Sequence, residues 1–277
     1  MERPIGVFDS GVGGLTVCSQ IRNYLPDEQI IYFGDTAHLP YGTKSKSQIV
    51  RFSSAAAKFL TNLGIKLLVV ACNSSSAVAL ASLKKRINLP IIGVIDPGVE
   101  EAVRATSNKH IGVIGTRATI ESGAYQGRIA RLDPEASVVA KACPLFVPLV
   151  EEGRTSDEVM WLVAREYLEP IRDEGIDTLI LGCTHYPLLN DIIARVMGKE
   201  VKLIDSAQAV AIQVKEILDR RQMLTSPGRK RASKRASSRS KAGMKFYVSD
   251  WPENFKELGK RFLGEEIRFV KEVRLDV

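Results

Sequence analysis

Two short apolar runs, KLLVVA at Lys66–Ala71 and TLILG at Thr178–Gly182, end at a small residue followed by a cysteine and a polar segment. Unbroken apolar runs of this length are the pattern of parallel strands covered on both faces. The stretches SQIVRFSSAAAKFLTNLG and SDEVMWLVAREYLEPIRDEG instead carry apolar residues at helical spacing and close at glycine, as helices often do. Strand and helix patterns alternate, with glycine-bearing turns between them. That alternation predicts an α/β fold with mainly parallel sheets.

The pattern also repeats. GIKLLVVACNSSS at Gly64–Ser76 matches GIDTLILGCTHYP at Gly175–Pro187. Upstream, IGVFDSGVGGLTV starts at Ile5, 67 residues before Cys72, and IGVIGTRATIESG starts at Ile111, 72 residues before Cys183. Downstream, Asp96 lies 24 residues beyond the first of these cysteines and Asp205 lies 22 beyond the second. Three landmarks in the same order at nearly matched intervals predict two copies of one α/β unit. The expected organisation is a first lobe over residues 1–96, completed by 208–277, and a second over 97–207. The segments KFYVSD, PENFKELGKRFLG and EIRFVKEVRL have no partner in the repeat and are expected to complete the sheet of one lobe. In open parallel sheets, ligands bind at the carboxyl ends of the strands. Cys72, Cys183, Asp9, Asp96 and Asp205 all fall at such ends. Two pseudo-symmetric lobes facing each other would bring both cysteines to one interlobe cleft, the expected active site.

Composition narrows the class. A chain of 277 residues with 45 % apolar and 26 % charged positions has ample core for one or two soluble domains. No apolar run approaches the roughly 18 residues of a membrane span, so no membrane partner is expected. The N-terminus runs straight into IGVFDSGVGG without an export-signal pattern. Four cysteines in this length do not form a disulfide framework, and a reduced, cytoplasmic compartment is the natural reading. The net charge of +7 has one source. The segment Thr225–Gly243 holds seven Lys or Arg and no acid; without them the 39 basic residues fall to 32, equal to the 32 acids. This Ser-, Ala- and Gly-rich insert is expected to be a solvated loop. No aromatic residue interrupts it to stack on bases, so no nucleic-acid partner is expected. A nucleic-acid-binding factor using this insert is the alternative from a different functional class.

The cysteines carry the candidate chemistry. A lone cysteine after a buried strand is more often packing than catalysis, and Cys18 and Cys143 are assigned to the core. Cys72 and Cys183 differ, because each is followed by a polar run and the arrangement occurs twice. Zinc needs about four ligands, usually in close pairs, and Cys183 with His185 alone makes a poor start, so no metal is expected. A redox Cys-x-x-Cys is absent. The GVGG of DSGVGGLT lacks the Lys-Ser/Thr of a phosphate loop and fits a tight turn against a small ligand. One chemistry requires two equivalent acid–base groups on opposite sides of one carbon: inversion of a stereocentre by proton transfer. A thiol suits it, with an ordinary pKa of about 8.5, within reach of neutrality. A helix N-terminus after each cysteine would favour the thiolate and offer N–H groups to a substrate carboxylate.

The stretches FDSGVGGLTV, DTAHLPYGTKS, ACNSSSA, GVIDPG, IGVIGT, CPLFVPLVEEG, LGCTHYPLL and IDSAQ span nearly the whole chain. On them the sequence resembles the cofactor-independent aspartate/glutamate racemase family, and within it the glutamate racemases. The resemblance implies that Cys72 and Cys183 are the two proton donors and acceptors. They would interconvert L- and D-glutamate without pyridoxal phosphate, metal or other cofactor and supply D-glutamate for peptidoglycan synthesis. It implies that Asp9 assists Cys72, and that His185 and a glutamate of VEEG, assigned here to Glu151, assist Cys183. Substrate contacts carried over are Asp9, Ser10, Tyr41, Gly42, Asn73, Ser74, Thr184 and His185. Asn73-Ser74 stands where many relatives have Asn-Thr, which keeps the hydroxyl. The expected partner is the small-molecule substrate, in a homodimeric protein. A racemase acting on aspartate or another amino acid is the close alternative. Plainer roles stand beside these: Asp9 as a helix cap, His185 as a satisfied buried histidine, and Tyr41-Gly42 as an ordinary turn. Asp96 and Asp205 could shape the interlobe contact, and His38 and His110 receive no role.

Overall fold

The computed structural model describes residues 3–225 and 243–276. Nearly all of the basic insert Thr225–Gly243, namely 226–242, therefore lies outside the described residues. The strands are β1 (Ile5–Asp9), β2 (Ile30–Gly34), β3 (Leu67–Val70), β4 (Ile91–Gly93), β5 (His110–Gly115), β6 (Ser137–Ala142), β7 (Thr178–Gly182), β8 (Lys202–Ile204), β9 (Met244–Val248) and β10 (Val270–Glu272). They form two sheets, ordered β10-β9-β2-β1-β3-β4 and β6-β5-β7-β8, with every pairing parallel. The order β2-β1-β3-β4 in one lobe is the order β6-β5-β7-β8 in the other, so the sequence repeat is a repeat of topology. β9 and β10, from the unrepeated tail, extend the first sheet at its β2 edge. The short apolar runs are the central strands: all of β3 and β7 is buried.

Helices cover both faces of the sheets, which is why those strands carry no alternating polar side. Helix Lys46–Asn62 turns Ile49, Phe52, Ala56, Ala57 and Leu60 inward, and the Ser45 hydroxyl accepts the Gln48 N–H at its start. Helix Glu158–Arg172 buries Met160, Ala164, Leu168 and Ile171, with the Asp157 carboxylate accepting the Met160 N–H. Both stop at glycines with positive φ shortly beyond, Gly64 and Gly175. One hydrophobic cluster runs through both lobes. It joins Leu15, Val17 and Ile21 of helix Leu15–Tyr24 to Val210, Ala211 and Val214 of helix Ser206–Arg220 and to Leu179 and Leu181 of β7. Two further clusters fill the remaining sheet faces. Cys18 and Cys143 are fully buried in the shared cluster, as packing residues.

The order β2-β1-β3-β4 reverses its winding between β1 and β3, and the second sheet does so between β5 and β7. At such switch points the loops leaving adjacent strands diverge and open a crevice. Cys72 follows β3 and Cys183 follows β7, so the fold sets each thiol at the rim of its own lobe's crevice.

Candidate active site

The two crevices meet in one cavity. It is lined by Ser10, Gly11, Leu39, Pro40, Tyr41, Gly42, Cys72, Asn73, Ser74, Val147, Glu151, Cys183, Thr184 and His185. Its volume is about 20 Å³, room for roughly one water molecule. Every expected site residue except Asp9 is on this wall. Asp9, at the end of β1, is fully buried behind it; its Oδ2 accepts the Gly11 N–H at 3.0 Å, and Oδ1 is buried without a hydrogen-bond partner among the described residues. Helix Leu15–Tyr24 has Gly14 at its start, and the Asp9 carboxylate faces the backbone amides that lead into it.

Around Cys72, Sγ lies 3.6 Å from the Ser10 hydroxyl. Helix Asn73–Val78 begins at the next residue, as the sequence predicts. Burial first, and then the Asp9 carboxylate, push the thiol up to about 11, while the Ser75 amide and the Ser10 hydroxyl pull the other way. Burial likewise raises Asp9 itself, opposed by the charge of His185 and by the Gly11 amide. At neutral pH Cys72 therefore carries its proton.

The environment of Cys183 is built differently. Its Sγ lies 4.0 Å from His185 Nδ1, and His185 Nε2 pairs with Glu151 Oε1 at 2.9 Å. Burial disfavours the charged imidazole, but Cys183 and Glu151 together outweigh it and raise His185 to about 10. His185 is thus an imidazolium at neutral pH, placed between a thiol and a carboxylate. A helix N-terminus was expected after this cysteine too, and here the structure differs. Tyr186–Leu189 forms a 3-10 turn with Pro187 near its start, and the α-helix begins only at Asn190. No α-helix N-terminus therefore follows Cys183 directly. The histidine supplies positive charge in its place.

A histidine raised from its ordinary 6.5 to about 10 links stability to pH. Because its folded value lies above the unfolded one, the contribution is complete below pH ~6.5 and is lost as pH rises through the folded value. The melting-temperature gap between wild type and His185→Asn should therefore narrow steadily from pH 6 towards pH 10. A gap independent of pH in thermal melts would contradict a charged His185.

Polar contacts between the lobes close the cavity. Ser74 Oγ lies 2.9 Å from Thr116 Oγ1 and 3.3 Å from Thr119 Oγ1, and the Tyr125 hydroxyl donates to Asn73 Oδ1 at 2.7 Å. Two glycines permit the close approach. A Cβ on Gly13 would lie 2.2 Å from Thr184 Oγ1 and 2.6 Å from His185 Nδ1, and one on Gly42 would lie 2.5 Å from Thr116 Cβ. The loop after β1 thus presses on the turn at Thr184 and His185, and the Tyr41 loop presses on the loop after β5. Tyr41 presents only part of itself to the cavity: its hydroxyl donates to Asp35 Oδ2 at 2.5 Å, beside Ser249 and His38. Asp96 and Asp205 are not on the cavity wall. Asp96 pairs with Arg128, and Asp205 caps helix Ser206–Arg220 by accepting the Ala207 N–H.

Thr116, Thr119 and Tyr125 were missed by sequence reasoning. A signal existed: IGVIGT occupies in the second repeat the place of IGVFDS in the first, so Thr116 follows β5 as Ser10 follows β1. Among the described residues no group of three or more His, Cys, Asp or Glu side chains is placed to hold a metal ion.

The sequence profile of the Asp/Glu/Hydantoin racemase family matches residues 5–214. A glutamate racemase of Geobacter metallireducens is 49 % identical over 274 residues, covering 99 % of this chain and 97 % of that one. The crystal structure of a Francisella tularensis glutamate racemase in complex with D-glutamate matches with a TM-score of 0.89 and 39 % identity, over 99 % and 98 % of the two chains. That of Escherichia coli glutamate racemase in complex with L-glutamate and the activator UDP-MurNAc-ala matches with a TM-score of 0.78 and 29 % identity, over 99 % and 100 %.

Proposed function

The chain belongs to the Asp/Glu/Hydantoin racemase family, and from that premise we propose that it interconverts L- and D-glutamate by a two-thiol mechanism. The observation that carries this reading is the convergence of Cys72 and Cys183, from matching strand ends of two repeated lobes, on one cavity. One cysteine, as thiolate, takes the Cα proton from one face of the amino acid, and the other, as thiol, gives its proton to the opposite face. Afterwards the two have exchanged protonation states, and the enzyme is set for the reverse enantiomer. In the resting cavity Cys72 is the protonated partner, and the cation in contact with the other thiol is His185. Cys72 starts as the acid, and the mechanism then assigns the base to Cys183.

The hydroxyls of Ser10, Ser74 and Thr184 and the amides opening helix Asn73–Val78 serve the substrate carboxylates. A space of about 20 Å³ cannot hold a glutamate, so substrate enters only when the lobes part. Closure by the Ser74–Thr116 and Tyr125–Asn73 contacts then excludes water, which would protonate the carbanion from either side. D-Glutamate made in this way would serve peptidoglycan synthesis, in the reducing cytoplasm where both thiols stay free.

Purified protein should bring the circular dichroism signal of L-glutamate to zero with no added cofactor and leave L-aspartate unchanged. Activity should survive exhaustive dialysis against chelator, and the protein should show no absorbance from bound pyridoxal phosphate. Turnover of aspartate but not glutamate would move the chain to the other branch of its family. Activity lost on dialysis and restored by zinc or pyridoxal phosphate would overturn the two-thiol chemistry.

A further inference from the structure

The tail that has no counterpart in the repeat reaches the Cys183 acid–base set. Helix Pro252–Leu263 starts after Trp251, stops at Gly264 (φ 79°), and buries Phe255, Leu258, Gly259, Phe262 and Leu263 along one face. Its first turns belong to the first lobe, where the Phe255 ring packs against Tyr32 of β2, centroids 5.7 Å apart. Its last turn crosses to the other half of the site. The Phe262 ring lies 5.1 Å from the His185 ring at 76° to it, an edge-on contact. Next to it, Arg261 Nη1 donates to the Glu151 carbonyl at 3.4 Å. Gly153, with φ +76°, gives that guanidinium space, because a Cβ there would meet Arg261 Nη1 at 2.7 Å. One helical turn thus holds the ring of His185 and the main chain of Glu151.

We propose that Phe262 is a positioning residue for His185, fixing the plane of the imidazole that links Glu151 to Cys183; this rests on the two-thiol reading. The geometry requires such a support. The Glu151 contact, at 2.9 Å, fixes one end of the ring, but Nδ1 stands 4.0 Å from Cys183 Sγ, at the outer limit for a sulfur hydrogen bond. A small tilt about the Nε2–Glu151 contact breaks that interaction without loosening the other. An aromatic ring edge-on to the imidazole, itself 6 % exposed, resists the tilt and keeps water off the ring. Cys72 needs no equivalent, since the Asp9 carboxylate behind it is held by the Gly11 amide. The asymmetry between the two thiols accordingly has a source in the chain: the helix that buttresses one of them exists in a single copy.

The test is a double-mutant cycle on kcat/KM for glutamate with Phe262→Ala, Phe262→Leu and His185→Asn. In the wild-type background Phe262→Ala should cost on the order of tenfold, and in the His185→Asn background less than about twofold, because the group it positions is gone. Phe262→Leu keeps an apolar side chain in place, so its melting temperature should stay near that of wild type while its kcat falls most in the direction that His185→Asn impairs most. Equal losses in both backgrounds, or losses that only follow melting temperature, would assign Phe262 to packing and overturn the proposal. If His185→Asn alone leaves kcat/KM at the wild-type value, the role of His185 fails and the proposal with it. That failure is visible in the single mutant, before any Phe262 variant is made.

Discussion

Cys72→Ser and Cys183→Ser are each expected to abolish racemisation in both directions, with losses at or beyond the upper end of the ~10²–10⁴-fold typical of a lost general acid or base. The argument rests on acidity. A thiol titrates near 8.5 in its ordinary state, and even Cys72, pushed up to about 11 by burial and by Asp9, can still lose its proton to a favourable environment. A serine hydroxyl cannot serve as the base at any working pH, and as an acid it is too weak to match a carbanion forming on the opposite face. In the proposed mechanism both thiols act in every turnover, one to take and one to give, so either substitution should stop the full cycle. Half of the cycle should survive. Each mutant retains one competent thiol, and with a substrate analogue carrying a leaving group next to Cα it should still remove a proton from one face and eliminate. The measurement is circular dichroism from L- and from D-glutamate, paired with elimination from both enantiomers of such an analogue. Full turnover in both directions by either serine mutant would leave no role for a two-base pair.

Much of this site was legible in the sequence because two independent periodicities agree in it. The strands were visible as unbroken apolar runs, and β3 and β7 are buried throughout. The matched intervals from Ile5 and Ile111 to Cys72 and Cys183 then located both thiols at equivalent strand ends. What was not legible depends on contacts that no local pattern encodes. A 3-10 turn over Tyr186–Leu189 stands where a helix start is expected, and the positive charge beside Cys183 is that of His185. Tyr41 reads as a substrate contact, but its hydroxyl is committed to Asp35, a few residues back in the chain. Asp9 reads as part of the wall and sits behind it, because the glycines after it bring the Ser10 and Gly11 backbone across its face. The Phe262–His185 contact joins the unrepeated tail to the second lobe, so no repeat could have announced it.

The helpers of the two thiols differ, and Asp9→Asn and His185→Asn should therefore impair opposite steps. His185, raised to about 10 by Cys183 and Glu151 against the effect of burial, is a standing cation beside Cys183. Asparagine removes the charge, so His185→Asn should lower kcat by about tenfold or more in the direction where Cys183 starts as base, and less in the reverse. Asp9 works by a different balance. Burial raises its own proton affinity, and its charge opposes ionisation of Cys72. Two buried groups that each disfavour the other's charge can share one proton, so Asp9 can take up the proton as Cys72 ionises. Asparagine relieves the repulsion but cannot accept that proton. If relay dominates, Asp9→Asn lowers kcat for the step served by Cys72 by on the order of a hundredfold. If Asp9 acts only through its charge, the same substitution makes the Cys72 thiolate easier to form and raises that rate. Enantiomers have equal free energy, so kcat/KM must stay the same from both sides, and any asymmetric loss in kcat must appear with a matching change in KM. The measurement is kcat and KM from both L- and D-glutamate for each mutant. Equal kcat losses in both directions for both mutants would reject the division of labour and leave the two cysteines standing. A gain in the Cys72 step on Asp9→Asn would reduce Asp9 from a proton relay to a charge that holds Cys72 in its acid form.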